Sequence, residues 1–273
     1  MKVIVCATSG FAIPSLRALV EAGYEIVAVI TQPDKPAGRK QEALPSLVKL
    51  WALEHGLKVF QPESLEIGNW KLEIPEINIV ASYGKLIPKW LIDAPKFGSL
   101  NIHPSLLPKY RGPSPIQAAI LNGDEQTGVT IIKLDQQLDH GPIVSQSIFN
   151  IPNSIFYKDL HDKLANLGAE LLIKTIPDYV SGKIKPRPQD HSKATFTKII
   201  TKDDARIDWS KPSEEIDRLI RAYSTWPVAW TMLDGKRLKI FQALPTPLPK
   251  LPHQGEETIP AFFPPLVGGI EGG

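Results

Sequence analysis

The sequence predicts an α/β fold: a Rossmann-like, doubly wound and mostly parallel sheet, followed by a second, smaller domain. Three observations predict it. Residues 2–7 (KVIVCA), 24–31 (YEIVAVIT) and 78–82 (NIVAS) are continuous apolar runs, as expected of strands buried on both faces. Helical patterns over residues 11–22 and 45–55 separate the first strands, which is the order of βαβ units. At 273 residues the chain can bury one large core and a smaller one.

Composition narrows the class further. A hydrophobic fraction of 42% and a charged fraction of 22% are ordinary for a soluble globular protein. The net charge is only +2, so contact with nucleic acid must come from a local patch rather than a global field. A single cysteine, Cys6, excludes an internal disulfide and fits a reducing compartment. Within KVIVCA it reads as a small buried hydrophobe. The chain shows no long apolar span and no signal-peptide pattern, and it reads as cytoplasmic with no membrane partner.

Taken in order, the first strand opens into Thr8, Ser9 and Gly10. That turn lacks a GxGxxG fingerprint, so a dinucleotide site is not expected. Residues 32–44 (QPDKPAGRKQEAL) read as a loop with Arg39 and Lys40 at its tip. It is either a solvated connection or a basic finger reaching for phosphate. A helix over 45–55, a short strand over 58–60, the strand over 78–82 and a helix near 88–92 follow. Residues 99–102 form the next strand. Ser114 as N-cap and Pro115 at the first helical position then start a helix that reaches Leu121 and stops at Gly123. Strands over 128–132 and 143–149 precede a long amphipathic helix from about 154 to 180.

These elements place the site-bearing domain at 1–182. The polar, proline-bearing stretch that follows (GKIKPRPQDH) opens a linker over 183–196. Residues 197–243 supply a helix over 213–223 and two strands, 228–233 and 237–242, across a turn at Asp234 and Gly235. Residues 244–273 are rich in proline and glycine without any period, a composition expected of disorder.

The chemistry-bearing stretch is LNIHPSLLPKYRG at 100–112, read with LDHGP at 138–142. Asn101 and His103 are two apart on an extended chain, so they face the same side. They stand at the carboxyl end of a strand, where ligands collect in α/β sheets. Asp139 arrives from a loop after another strand. An amide donor, a titratable ring and a carboxylate suit attack by a neutral amine on a carbonyl carbon. Asn101 can donate to the developing oxyanion, His103 can donate or relay a proton, and Asp139 can favour the imidazolium and collect the amine's proton. Plainer readings stay open at this point: a structural histidine, an Asn101 bonded to loop backbone, and a turn at Asp139, His140 and Gly141. No covalent nucleophile is required. The six histidines (55, 103, 140, 161, 191 and 253) form no close pair on one helix face, so no metal is expected.

NIHPSLLPKYRG, the GPSPIQAAILNGDEQTGVTI run after it and LDHGPI resemble the signature of 10-formyltetrahydrofolate-dependent formyltransferases. That signature sets an Asn-x-His before SLLP and an L-D-x-G downstream. The resemblance implies catalytic roles for Asn101, His103 and Asp139, and folate contact by Ser105, Leu106, Leu107 and Pro108. Within that family TQPDKPAGR, PSLVK, FQPESL, ASYGKLIPK, ARIDWSKP and RAYSTWPVAW are similar to the branch that acts on methionyl-tRNA, over residues 2–243. This implies 10-formyltetrahydrofolate as co-substrate, initiator methionyl-tRNA as acceptor, Arg39 and Lys40 facing the tRNA, and a monomer without metal. It also implies a second domain built as an oligonucleotide-fold (OB-type) β-barrel. The chain departs from the pattern twice: RKQEA replaces a more basic loop, and the barrel is abbreviated, leaving an open sheet edge. Formylation of an amino-sugar nucleotide, and a folate-binding or tRNA-binding remnant without turnover, are the alternatives.

Overall fold

The computed structural model describes residues 1–37, 42–65 and 73–243, and Met1–Ala243 form one unit. β1 (Lys2–Ala7) is followed by a short 3-10 turn at Gly10–Ala12, which leads into α1 (Ile13–Glu21). β2 (Glu25–Ile30), the short β3 (Lys35–Ala37) and β4 (Glu42–Leu44), α2 (Leu47–Glu54) and β5 (Val59–Phe60) come next. Then follow β6 (Ile77–Ala81), α3 (Lys89–Asp93), β7 (Ser99–His103), α4 (Pro115–Leu121), β8 (Gln126–Lys133), β9 (Ile143–Asn150) and α5 (Tyr157–Val180).

Seven strands form the main sheet in the order β5-β2-β1-β6-β7-β8-β9. The pairs from β5 across to β7 are parallel, whereas β8 runs antiparallel to both β7 and β9. The chain winds outward from β1 in one direction through β2 and β5, then in the other through β6 and β7. That is the doubly wound topology that the apolar runs predict. The runs do not alternate because both faces are covered: Val3, Val5 and Ala7 enter one core while Ile4 and Cys6 enter the other. Cys6 is fully buried, and burial pushes its thiol up to about 12. α5 covers the first of these faces, with Gly168 against Ile102 and Val129.

Two local expectations are adjusted by the structure. Residues 32–44 are not simply a loop, because β3 and β4 pair antiparallel with Lys35 opposite Leu44. Pro36 is tolerated there because a two-stranded ribbon leaves each strand an unpaired edge. Arg39 and Lys40, expected at the tip, lie outside the described residues. Ser114 stands at the N-cap position of α4 with Pro115 after it, as expected, but its side chain makes no capping hydrogen bond. Its Oγ donates instead to Lys198 O at 2.9 Å, and its N–H donates to Thr197 Oγ1 at 3.1 Å, so tertiary partners have displaced the local one.

Residues 183–196 lie along the main sheet. Arg187 bridges Ile143 on β9, and Phe196 bridges Arg111. The remaining described residues contain α6 (Ser213–Ala222) and the antiparallel pair β10 (Ala229–Leu233) and β11 (Lys236–Ile240). Asp234 and Gly235 both have positive φ, 48° and 74°, the primed turn that suits a two-residue hairpin. Two small apolar clusters support these elements, Ala205 with Tyr223 and Trp230, and Ile207 with Ile220 and Ala229. Among the described residues this small sheet has two strands and does not close into a barrel. Residues 244–273 lie outside the described residues. No helix among the described residues is long and apolar enough to cross a membrane.

Candidate active site

β7 carries Asn101 and His103 on one face, as their spacing requires, and the loop after β8 brings Asp139 to meet them. Asn101 Nδ2 donates to Asp139 Oδ1 at 3.3 Å. His103 Nδ1 lies 3.6 Å from the same oxygen, within ion-pair reach when the ring is protonated. The three residues are only 9%, 4% and 8% exposed, so their mutual attraction is poorly screened by solvent.

The orientation of the ring follows from its other nitrogen. His103 Nε2 lies 2.9 Å from the carbonyl oxygen of Tyr110. A carbonyl only accepts, so Nε2 carries a hydrogen and Nδ1 faces the carboxylate. The second oxygen of Asp139 is held as well, since Oδ2 accepts the backbone N–H of Gly112 at 2.8 Å. Residues 110–112 thus hold both the imidazole and the carboxylate.

That loop is in turn held by residues 195–198. Tyr110 N–H donates to Thr195 Oγ1 at 2.8 Å, Arg111 N–H donates to Thr195 O at 2.8 Å, and Thr197 N–H donates to Arg111 O at 2.7 Å. Gly112 adopts φ +108°, and a Cβ there would meet Thr197 O at 2.7 Å. Tyr110 and Asp139 also have positive φ, 62° and 48°. Such backbone costs roughly 1–2 kcal/mol for residues other than glycine, least for Asn and Asp, and the surrounding hydrogen bonds offset it. Gly141 is required by close approach, because a Cβ there would lie 1.9 Å from Lys133 O.

The four residues expected to contact folate follow β7 directly, and they divide in two. Ser105 is fully buried, and its Oγ donates to Lys109 O at 2.5 Å. Leu107 packs with Ile132 and Ile143. Both side chains are therefore committed to the protein interior. Leu106 and Pro108 keep part of their surface. The loop is anchored from beneath by Thr130, whose Oγ1 donates to Ser105 O at 2.6 Å and accepts from Leu107 N–H at 3.1 Å.

Several residues of the site escape a reading of the sequence. Tyr110, Arg111 and Gly112 stand inside the KYRG run, but their individual roles have no signal there. Gln189, Thr195 and Thr197 belong to a stretch whose composition is that of a linker. Arg111 is 4% exposed and donates to Gln189 Oε1 through Nε at 3.1 Å and Nη2 at 2.7 Å. Two surface grooves, beside α1 and α5 and beside α6, include none of Asn101, His103 or Asp139. Among the described residues no three His, Cys, Asp or Glu side chains form a group that could hold a metal ion.

Known proteins share this arrangement of sequence and fold. Residues 1–176 match the formyl transferase family, and residues 199–259 match the formyl transferase C-terminal domain. A methionyl-tRNA formyltransferase of Chloroflexus aurantiacus is 46% identical over 247 residues, which is 89% of this chain and 80% of the relative. One from Bacillus velezensis is 43% identical over 244 residues, 88% of this chain and 77% of the relative. Among solved structures, a 4-N formyltransferase from Francisella tularensis superposes with a TM-score of 0.70 at 20% identity, covering 90% of this chain and 98% of its own. An N-formyltransferase from Helicobacter canadensis, in complex with folinic acid and dTDP-3-aminofucose, gives 0.67 at 24% identity, covering 88% and 86%. At those identities the structural likeness concerns the fold alone.

Proposed function

From the premise that this chain belongs to the formyl transferase family, we propose that it transfers the formyl group of 10-formyltetrahydrofolate to the α-amino group of methionine esterified to initiator tRNA. The observation that carries the reading is the convergence of Asn101 and His103 on one oxygen of Asp139. Relatives more than 40% identical across nearly nine-tenths of the chain, all named for methionyl-tRNA, favour this acceptor. The amino-sugar alternative rests on likeness of fold.

In this reading the neutral amine attacks the formyl carbon, a new C–N bond forms, and the carbonyl oxygen gains negative charge. Asn101 Nδ2 has a second hydrogen beyond the one it gives Asp139, and that hydrogen stabilises the oxyanion. His103 contributes a second N–H from Nδ1 when protonated, and Asp139 holds the imidazolium in place. The bond to N10 of the donor then breaks, the amine's proton leaves by way of Asp139 and His103, and tetrahydrofolate departs with N10 protonated. Removing one such oxyanion donor typically costs on the order of 10²–10³ in rate.

The folate lies along residues 105–108, where Leu106 and Pro108 offer apolar surface and the backbone offers polar groups. Arg39 and Lys40 contact the tRNA through its phosphates. All three reacting side chains come from one chain, which supports action as a monomer, and action on initiator tRNA supports a cytoplasmic location. Incubation with 10-formyltetrahydrofolate and charged initiator tRNA tests the reading: formyl-methionyl-tRNA is the expected product. Turnover of an amino-sugar nucleotide with none on the tRNA overturns it.

A further inference from the structure

We infer that Gln189 is a positioning residue for this reaction, acting through Asp139; the inference rests on the function proposed above. Its side chain is 5% exposed, and each of its polar atoms is engaged. Nε2 donates one hydrogen to Asp139 O at 2.8 Å and the other to Gly141 O at 2.7 Å. Oε1 accepts from Arg111 Nε at 3.1 Å and Nη2 at 2.7 Å. The amide thus reaches Asp139 by two routes. One runs directly to the Asp139 backbone, which stands in the left-handed region at φ +48°. The other runs through Arg111 to its neighbour Gly112, whose N–H holds Asp139 Oδ2 at 2.8 Å.

The chemistry of the position requires an amide. Two backbone carbonyls on one side need donors, and a guanidinium on the other needs an acceptor. A glutamate would satisfy Arg111 but turn an anion toward two carbonyl oxygens. An asparagine would be one methylene too short to span both partners. Buried networks of this kind hold a reacting group only when every member is satisfied. Misplacing a reacting group by about 1 Å can cost on the order of 10² in rate. The hydrogen bonds of Gln189 go to the backbone of Asp139 and Gly141 and to Arg111, so its contribution comes through the geometry of the 139–141 loop.

The test compares Gln189→Ala, Gln189→Glu, Asp139→Asn and the double variant Gln189→Ala/Asp139→Asn in the formylation assay. Gln189→Glu keeps the side-chain length and the acceptor for Arg111, and the folding of each variant is checked by circular dichroism and urea unfolding before its kinetics are read. We expect kcat to fall on the order of 10²-fold in both Gln189 variants, with KM for folate and tRNA unchanged. The double variant is expected to be no slower than Asp139→Asn alone, since the two residues act as a unit. Full kcat in either folded Gln189 variant, or losses that multiply in the double variant, overturn the inference. Should the wild type form no product with the tRNA, the proposed function fails. The clamp is then read from hydrogen exchange at the Gly112 amide: faster exchange in Gln189→Ala supports it and unchanged exchange overturns it.

Discussion

His103 donates through Nε2 to the carbonyl of Tyr110 at 2.9 Å, and that one bond decides which nitrogen faces the reaction. The neutral ring is therefore expected as the Nε2–H tautomer, with Nδ1 free to accept. Nitrogen-15 shifts of His103 at alkaline pH check this, and a dominant Nδ1–H signal contradicts it. His103→Ala is expected to lower kcat by about 10²–10⁴, read in the formylation assay.

Asn101 and Asp139 share a hydrogen bond but not a role. Asn101→Ala removes an oxyanion donor and is expected to cost on the order of 10²–10³ in kcat with little change in KM. Asp139→Asn keeps the shape and loses the charge that holds a protonated His103. Its kcat is expected to fall by at least as much, and an Asp139→Asn variant with full turnover removes the carboxylate from the mechanism.

Gly141 predicts a stability effect. A Cβ at this position would meet Lys133 O at 1.9 Å, and backbone cannot yield as a flexible side chain can. Gly141→Ala is expected to destabilise the fold by about 3 kcal/mol, measured as a lower urea midpoint. Gly182 has nothing within 4 Å of its added Cβ but stands at φ +76°, so Gly182→Ala meets only backbone strain, about 1 kcal/mol.

Alkaline pH should weaken the fold through Tyr83 and Cys6. Burial pushes the Tyr83 phenol from 10.0 to about 12 and the Cys6 thiol from 9.0 to about 12. The unfolded chain therefore releases these protons first. Their contribution to stability is whole below pH 9 and is lost as pH rises from there to about 12. Urea unfolding at stepped pH reads this slope. Tyr83→Phe is expected to flatten the part above pH 10, and an unchanged slope refutes the assignment.

Much of the site is legible in the sequence because it obeys local rules. Asn101 and His103 are two apart on a strand, and an extended chain puts them on one side whatever surrounds it. Asp139 is legible as a loop residue in L-D-x-G, but its conformation is not, since φ +48° is imposed by the bonds around it. Ser114 shows the limit of local signals: its position reads as an N-cap, and partners at Thr197 and Lys198 take its polar atoms. The stretch 183–196 reads as a linker because its residues are polar and proline-bearing. In the folded chain Gln189 and Thr195 hydrogen-bond to the backbone of Asp139 and of Tyr110.

The sequence by itself determined the doubly wound sheet, its buried strands and the strand end where Asn101 and His103 stand. Periodicity and turn chemistry are properties of neighbouring residues, and they survive without knowledge of the fold. Only the tertiary structure decided which nitrogen of His103 faces Asp139, which hydrogen bonds aim the carboxylate, and that Gln189 stands behind it. Those outcomes depend on donors and acceptors dozens of residues apart along the chain, and packing alone chooses which of them meet.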